Sequence, residues 1–174
     1  MDSSEVQIKR IAAAWEIVRL KFLKECLSAI GDSHFKWPGD EIGLPSSENC
    51  ASALAVITAY QLWDGAKFLK DCPYLSSPDS FLDRLYEEIV PMPEGRSRAT
   101  SYFGLFDKTA EEPIRFAKEV VHYLTQSKTP YEAPFEESFR VMYLIPWFCG
   151  LSRIVVAKVF GDEETANSIS AKIS

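Results

Sequence analysis

Arg115 and His122 stand seven residues apart in Arg115-Phe-Ala-Lys-Glu-Val-Val-His122-Tyr123, with Glu119 between them. Seven residues make almost two turns of α-helix, so a helix here carries all three side chains on one face. A histidine exchanges a proton near neutral pH, and an arginine stabilises negative charge on phosphoryl oxygens. The plain reading of the same residues is a solvated face. Arg115, Lys118, Glu119, His122 and Gln126 form a polar stripe opposite Ile114, Ala117, Val121 and Leu124, as on any amphipathic helix.

An arginine, six residues and a histidine followed by tyrosine, in a chain of helices, resembles the active-site motif of HEPN-type ribonucleases. The resemblance covers nine residues, and Phe116 stands where that family usually has a polar residue. It implies a metal-independent ribonuclease centred on Arg115 and His122. There the two would cooperate across a dimer in attack of a ribose 2′-hydroxyl on the adjacent phosphate.

Other catalytic kits are incomplete. Glu119 and His122 match one Glu-x-x-His element of a carboxylate-bridged di-iron bundle, but His34 has no glutamate three residues before it. Asp79, Asp83 and Glu87 recur every four residues and read as a charged outer face. Cys26, Cys50, Cys72 and Cys149 lack zinc spacing and read as reduced, small hydrophobes. No Gly-rich phosphate loop or nucleophile elbow is present. The expectation is therefore no metal and no cofactor.

A second set of residues points to recognition. Trp37 lies in the stretch 32–46. Arg96, Arg98, Tyr102, Phe103 and Phe106 lie in the stretch 91–108, which opens Pro91-Met-Pro93-Glu-Gly95. Both stretches read as loops, and large aromatics beside arginines in loops are typical interface anchors. Loops folded back to cover the ends of a bundle are the more common outcome for such residues.

The elements that must position these residues are all helices. Four Glu-Glu pairs occur, and those at 111–112, 136–137 and 163–164 open apolar-periodic stretches. Acids collect there because the first-turn N–H groups are unpaired and the helix dipole is positive. The spacing predicts helices over 4–30, from Ser46 or Ser47 to before Pro73, from Pro78 to Pro91, over 110–126 and over 134–160 with a kink at Pro146. A short sixth is capped by Asp162. Ile8, Ile11, Trp15, Val18 and Phe22 give the first helix one apolar stripe. The second helix is apolar almost all round and should be central, with Trp63 and Trp147 buried and Trp37 accessible. Lys21-Phe-Leu-Lys-Glu-Cys26 is echoed by Lys67-Phe-Leu-Lys-Asp-Cys72, without the third copy that a solenoid needs.

At 174 residues, 47% hydrophobic and 13% aromatic, the chain can bury a sizeable core. Its net charge of −6 gives no strong nucleic-acid signal and suits a basic partner. The apolar run 141–160 is interrupted by Pro146, Arg153 and Lys158, so it reads as a buried helix rather than a membrane span. Residues 1–5 show neither a basic nor an apolar leader region, hence an expected cytoplasmic location. The fold expected is all-α, a single helical domain over 1–174 built as an irregular bundle of five longer helices plus a short C-terminal helix. The function expected is a small cytosolic protein-binding module, an adaptor, inhibitor or immunity-type protein. It would take a protein partner through its acidic surface and aromatic loops. The HEPN-like ribonuclease is the alternative.

Overall fold

The computed structural model describes residues 2–31, 46–109 and 111–174, and Trp37 and His34 lie outside them. Among the described residues there are seven α-helices and no strand: α1 (Ser3–Gly31), α2 (Ser47–Asp71), α3 (Pro78–Ile89), α4 (Pro93–Lys108), α5 (Glu112–Thr125), α6 (Phe135–Val159) and α7 (Glu163–Ile173). A single 3₁₀ turn, Pro130–Glu132, leads into α6. Glutamates stand in the first turns of α5, α6 and α7, where the dipole favours them. The fourth pair lies on α3, where Glu88 reaches Lys9 of α1 at 3.3 Å.

The stretch 91–108 is a helix, not a loop. Pro93 sits in its first turn, where the missing N–H would have had no partner anyway. Beyond it, the Thr100, Ser101 and Thr109 hydroxyls donate to carbonyls four residues back. Only Ala99 and Phe106 of α4 are fully buried, so its apolar stripe is too thin to stand out in the sequence. This raises the count from six helices to seven.

α2 occupies the centre and touches α1, α3, α4, α5 and α6. Ser46 caps it by accepting from the Asn49 N–H at 3.1 Å. A column of stacked rings crosses the bundle: Tyr60 of α2 on Phe116 of α5 at 4.0 Å, Phe116 near Phe22 of α1 at 5.9 Å, and Phe22 on Phe148 of α6 at 4.3 Å. Offset stacks of this kind contribute roughly 0.5–1.5 kcal/mol beyond their buried area. A second apolar cluster joins Ile8, Ile11 and Trp15 to Leu62, Leu69, Phe81, Leu85 and Val156.

Between these clusters lies a buried polar knot. Gln61 accepts from Arg19 Nη1 at 2.8 Å and donates to Ser152 Oγ at 2.9 Å, while Trp15 Nε1 donates to the Ser152 carbonyl at 2.9 Å. Every partner is met, so the knot fixes α1, α2 and α6 in register instead of destabilising the core. Nearby, Asp64 of α2 accepts two hydrogen bonds from Arg153 of α6 at 3.1 and 2.6 Å.

Among the described residues, Trp15 is the fully buried tryptophan. Trp63 and Trp147 are only half-buried, contrary to expectation. Trp63 faces outward enough to donate to Asp107 at 2.8 Å and to carry the Lys67 ammonium 3.5 Å above its ring. The two echoed segments also differ in setting: Phe22 and Cys26 are buried, whereas Phe68 and Cys72 are not fully so. α6 continues through Pro146 and is, by length and composition, apolar enough to cross a membrane. It packs against α1, α2, α5 and α7.

Candidate functional site

α5 places Arg115 and His122 on one face, as their spacing requires, but the two have different surroundings. Arg115 Nη2 donates to Glu119 Oε1 at 3.1 Å, and the side chains are 18% and 8% exposed. The exposed Tyr131, carried on the 3₁₀ turn, lies over the guanidinium, with its ring centre 4.7 Å away. Arg115 Nε is buried with no hydrogen-bond partner. A phosphate approaching Arg115 would have to compete with Glu119. The polar stripe is therefore not one solvated face, because Glu119 within it is buried.

His122 is half-buried. Its Nδ1 lies 3.5 Å from Ser127 Oγ and its ring packs 4.7 Å from that of Tyr123. Its carbonyl accepts from the N–H groups of Gln126 and Ser127, closing α5 at Gln126, which is left-handed with φ 58°. The histidine thus stands at a helix end, and Arg115 stays neutralised by Glu119 one turn along.

The residues expected to form a recognition loop are dispersed over α4. Arg96 donates to the carbonyls of Val90 and Pro91 at 3.2 and 2.7 Å, closing the corner between α3 and α4. Arg98 Nη2 donates to Tyr123 Oη at 3.3 Å, and Tyr102 Oη lies 3.3 Å from the same phenol. Phe103 packs on Tyr86. Phe106 is buried edge-on against Tyr60, Trp63 and Phe116. The role that α4 gives these side chains is attachment to α2, α3 and α5.

A different surface carries the exposed rings. Tyr131, Phe135 and Tyr143 are 77%, 69% and 75% exposed. Phe135, Phe139 and Tyr143 follow each other at four-residue spacing along α6, with ring centres 4.5 and 6.5 Å apart, and so form a ridge. Beside it runs a groove of about 610 Å³ between α5 and α6. Phe135, Phe139 and Met142 line it from α6; Glu111, Glu112, Pro113, Ile114 and Lys118 line it from the start of α5. The signal was present in the sequence as that four-residue spacing. In a helix apolar on two faces, periodicity cannot tell the outer stripe from the inner one.

Burial pushes the Cys26 and Cys149 thiols up, so they hold their protons rather than act as thiolates. No three His, Cys, Asp or Glu side chains among the described residues are grouped to hold a metal ion. Asp79, of the acidic ridge, lies 3.9 Å from Lys70 in an exposed pair. No protein family, curated protein or solved structure matches the chain.

Proposed function

We propose that this chain is a protein-binding module, of the adaptor, inhibitor or immunity type, whose contact surface is the α5–α6 groove and its aromatic ridge. The observation that supports this reading is the ridge of Phe135, Phe139 and Tyr143 along α6, with Phe135 and Tyr143 left largely in solvent beside the groove. Exposed apolar residues scattered singly need no explanation, whereas a contiguous patch beside a concave groove marks an interaction site. Aromatic side chains supply large contact area at small entropic cost and are typical anchors of interfaces. Arg96, Arg98, Tyr102, Phe103 and Phe106 of α4 also contact other parts of the fold, whereas the α6 ridge is more open.

The test replaces Phe135 and Tyr143 with serine and compares photo-crosslinking from a probe at Met142 in wild-type and variant protein. Loss of a discrete crosslinked partner, with the melting temperature little changed, supports the reading. A partner retained at full yield would remove it. Ribonuclease activity that survives chelators, and is lost in both Arg115→Ala and His122→Ala, would favour catalysis instead.

A further inference from the structure

The groove between α5 and α6 is electrically polar along its length. Residues 126–134 join the end of α5 to the start of α6, and both helices line the groove with their first turns. Glu111 and Glu112 stand at one end of the groove's α5 wall and Lys118 at the other. Six to seven residues of helix separate them, roughly 10 Å at the α-helical rise. Among the described residues none of the three has an opposite charge within salt-bridge distance, whereas Glu136 and Arg140 nearby are paired with each other. Between the charged ends the walls are apolar: Pro113 and Ile114 on one side, Phe139 and Met142 on the other.

A groove two helical turns long, apolar in the middle, acidic at one end and basic at the other, matches one face of a helix. A helix carries positive partial charge at its N-terminus and negative at its C-terminus, and its apolar side chains recur at three- and four-residue intervals. A second copy of this chain is a poorer occupant, since two concave grooves brought face to face would leave their volumes unfilled.

We propose, resting on the protein-binding reading above, that the groove takes a short amphipathic helix of a partner. Its basic N-terminal turn lies against Glu111 and Glu112, and its acidic C-terminal turn lies against Lys118.

The experiment uses two stapled, fluorescein-labelled helical peptides with the same leucine face. One has lysines in its first turn and glutamates in its last; in its twin these are exchanged. Anisotropy titration at low salt should show the first binding about tenfold more tightly than the twin, the sum of a few partly exposed charge pairs. The full-length E111K/E112K/K118E variant should reverse that preference. Phe135→Ser/Tyr143→Ser should weaken both peptides alike. Equal binding of the two peptides to wild type, with both weakened by the serine variant, would overturn the polarity and leave the groove as a binding surface. Failure of both to bind, or binding that the serine variant leaves intact, would overturn groove and polarity together. Self-association in sedimentation that is lost with Phe135→Ser would make a second copy the occupant and overturn the partner helix.

Discussion

Gly65 of α2 lies against the indole of Trp15 so closely that a Cβ on the glycine would meet the ring inside any normal contact distance. Mid-helix glycine ordinarily costs about 0.5–1 kcal/mol relative to alanine. Here it lets α2 close on the largest side chain of the core. Gly65→Ala should therefore destabilise, by roughly 1–3 kcal/mol from overpacking, where helix propensity alone would predict a gain. Urea unfolding gives the sign directly, and a stabilised variant would mean that Trp15 can shift at little cost.

The rings of α4 and α6 should respond oppositely to truncation. Phe106→Ala removes a fully buried ring and should cost about 3–5 kcal/mol. Phe135→Ala and Tyr143→Ala remove mostly exposed rings and should stay within about 1 kcal/mol. Thermal melting of the three single variants checks this, and a marginal Phe106→Ala would argue that α4 is attached by other contacts.

Glu119 and Arg115 form a largely buried pair, so breaking it should cost more than replacing it. Glu119→Ala leaves the guanidinium with an unbalanced charge and should destabilise by about 3 kcal/mol or more. The Arg115→Met/Glu119→Leu double variant should recover most of that loss, because an apolar pair of similar size has no desolvation penalty to offset. A double variant as unstable as the single would show that the pair supplies net stability by itself.

Acid should loosen the C-terminal helix. Asp162 accepts from Tyr74 Oη at 2.6 Å and from the Thr165 N–H at 3.0 Å; the Tyr74 bond, then the Thr165 bonds, hold its carboxyl below the ordinary value. A depressed carboxylate stabilises the fold at pH values above its unfolded pKa, about 3.9, and that contribution fades as pH falls through the folded one. The stability difference between wild type and Asp162→Asn should be full near neutrality and vanish below the carboxylate range. Denaturant melts across pH 2–7 measure it, the range spanning roughly the titration of an aspartate. A constant difference down to the acid end would mean that the hydrogen bonds do not depend on the charge.

Most helix ends were legible because each is set by local chemistry: Ser46 and Asp162 accept first-turn N–H groups, and Pro78 opens α3. α4 was not, because Pro93 and Gly95 usually mark loops, and only position within the first turn distinguishes a helix-starting proline from a breaking one. The candidate site was less legible still. Tyr131, sixteen residues beyond Arg115, lies against that arginine, and a single helix's periodicity contains no information about a ring arriving from another element. The Phe135, Phe139 and Tyr143 spacing was visible, but which face of α6 turns inward depends on α1, α2 and α5.

The hydrogen bond from Trp15 to Ser152 spans 137 positions of chain, which sets a schedule for synthesis. Trp15 is made first, and its acceptor follows 137 residues later. At a translation rate of about 5–20 residues per second, α1 waits roughly 7–27 s for α6 to be made. Through that interval the apolar stripe of Ile8, Ile11, Trp15 and Phe22 lacks its final cover. The nascent chain thus presents a long amphipathic helix to whatever hydrophobic surface stands near the ribosome exit, and a chaperone that recognises such helices should engage this protein before residue 152 is added.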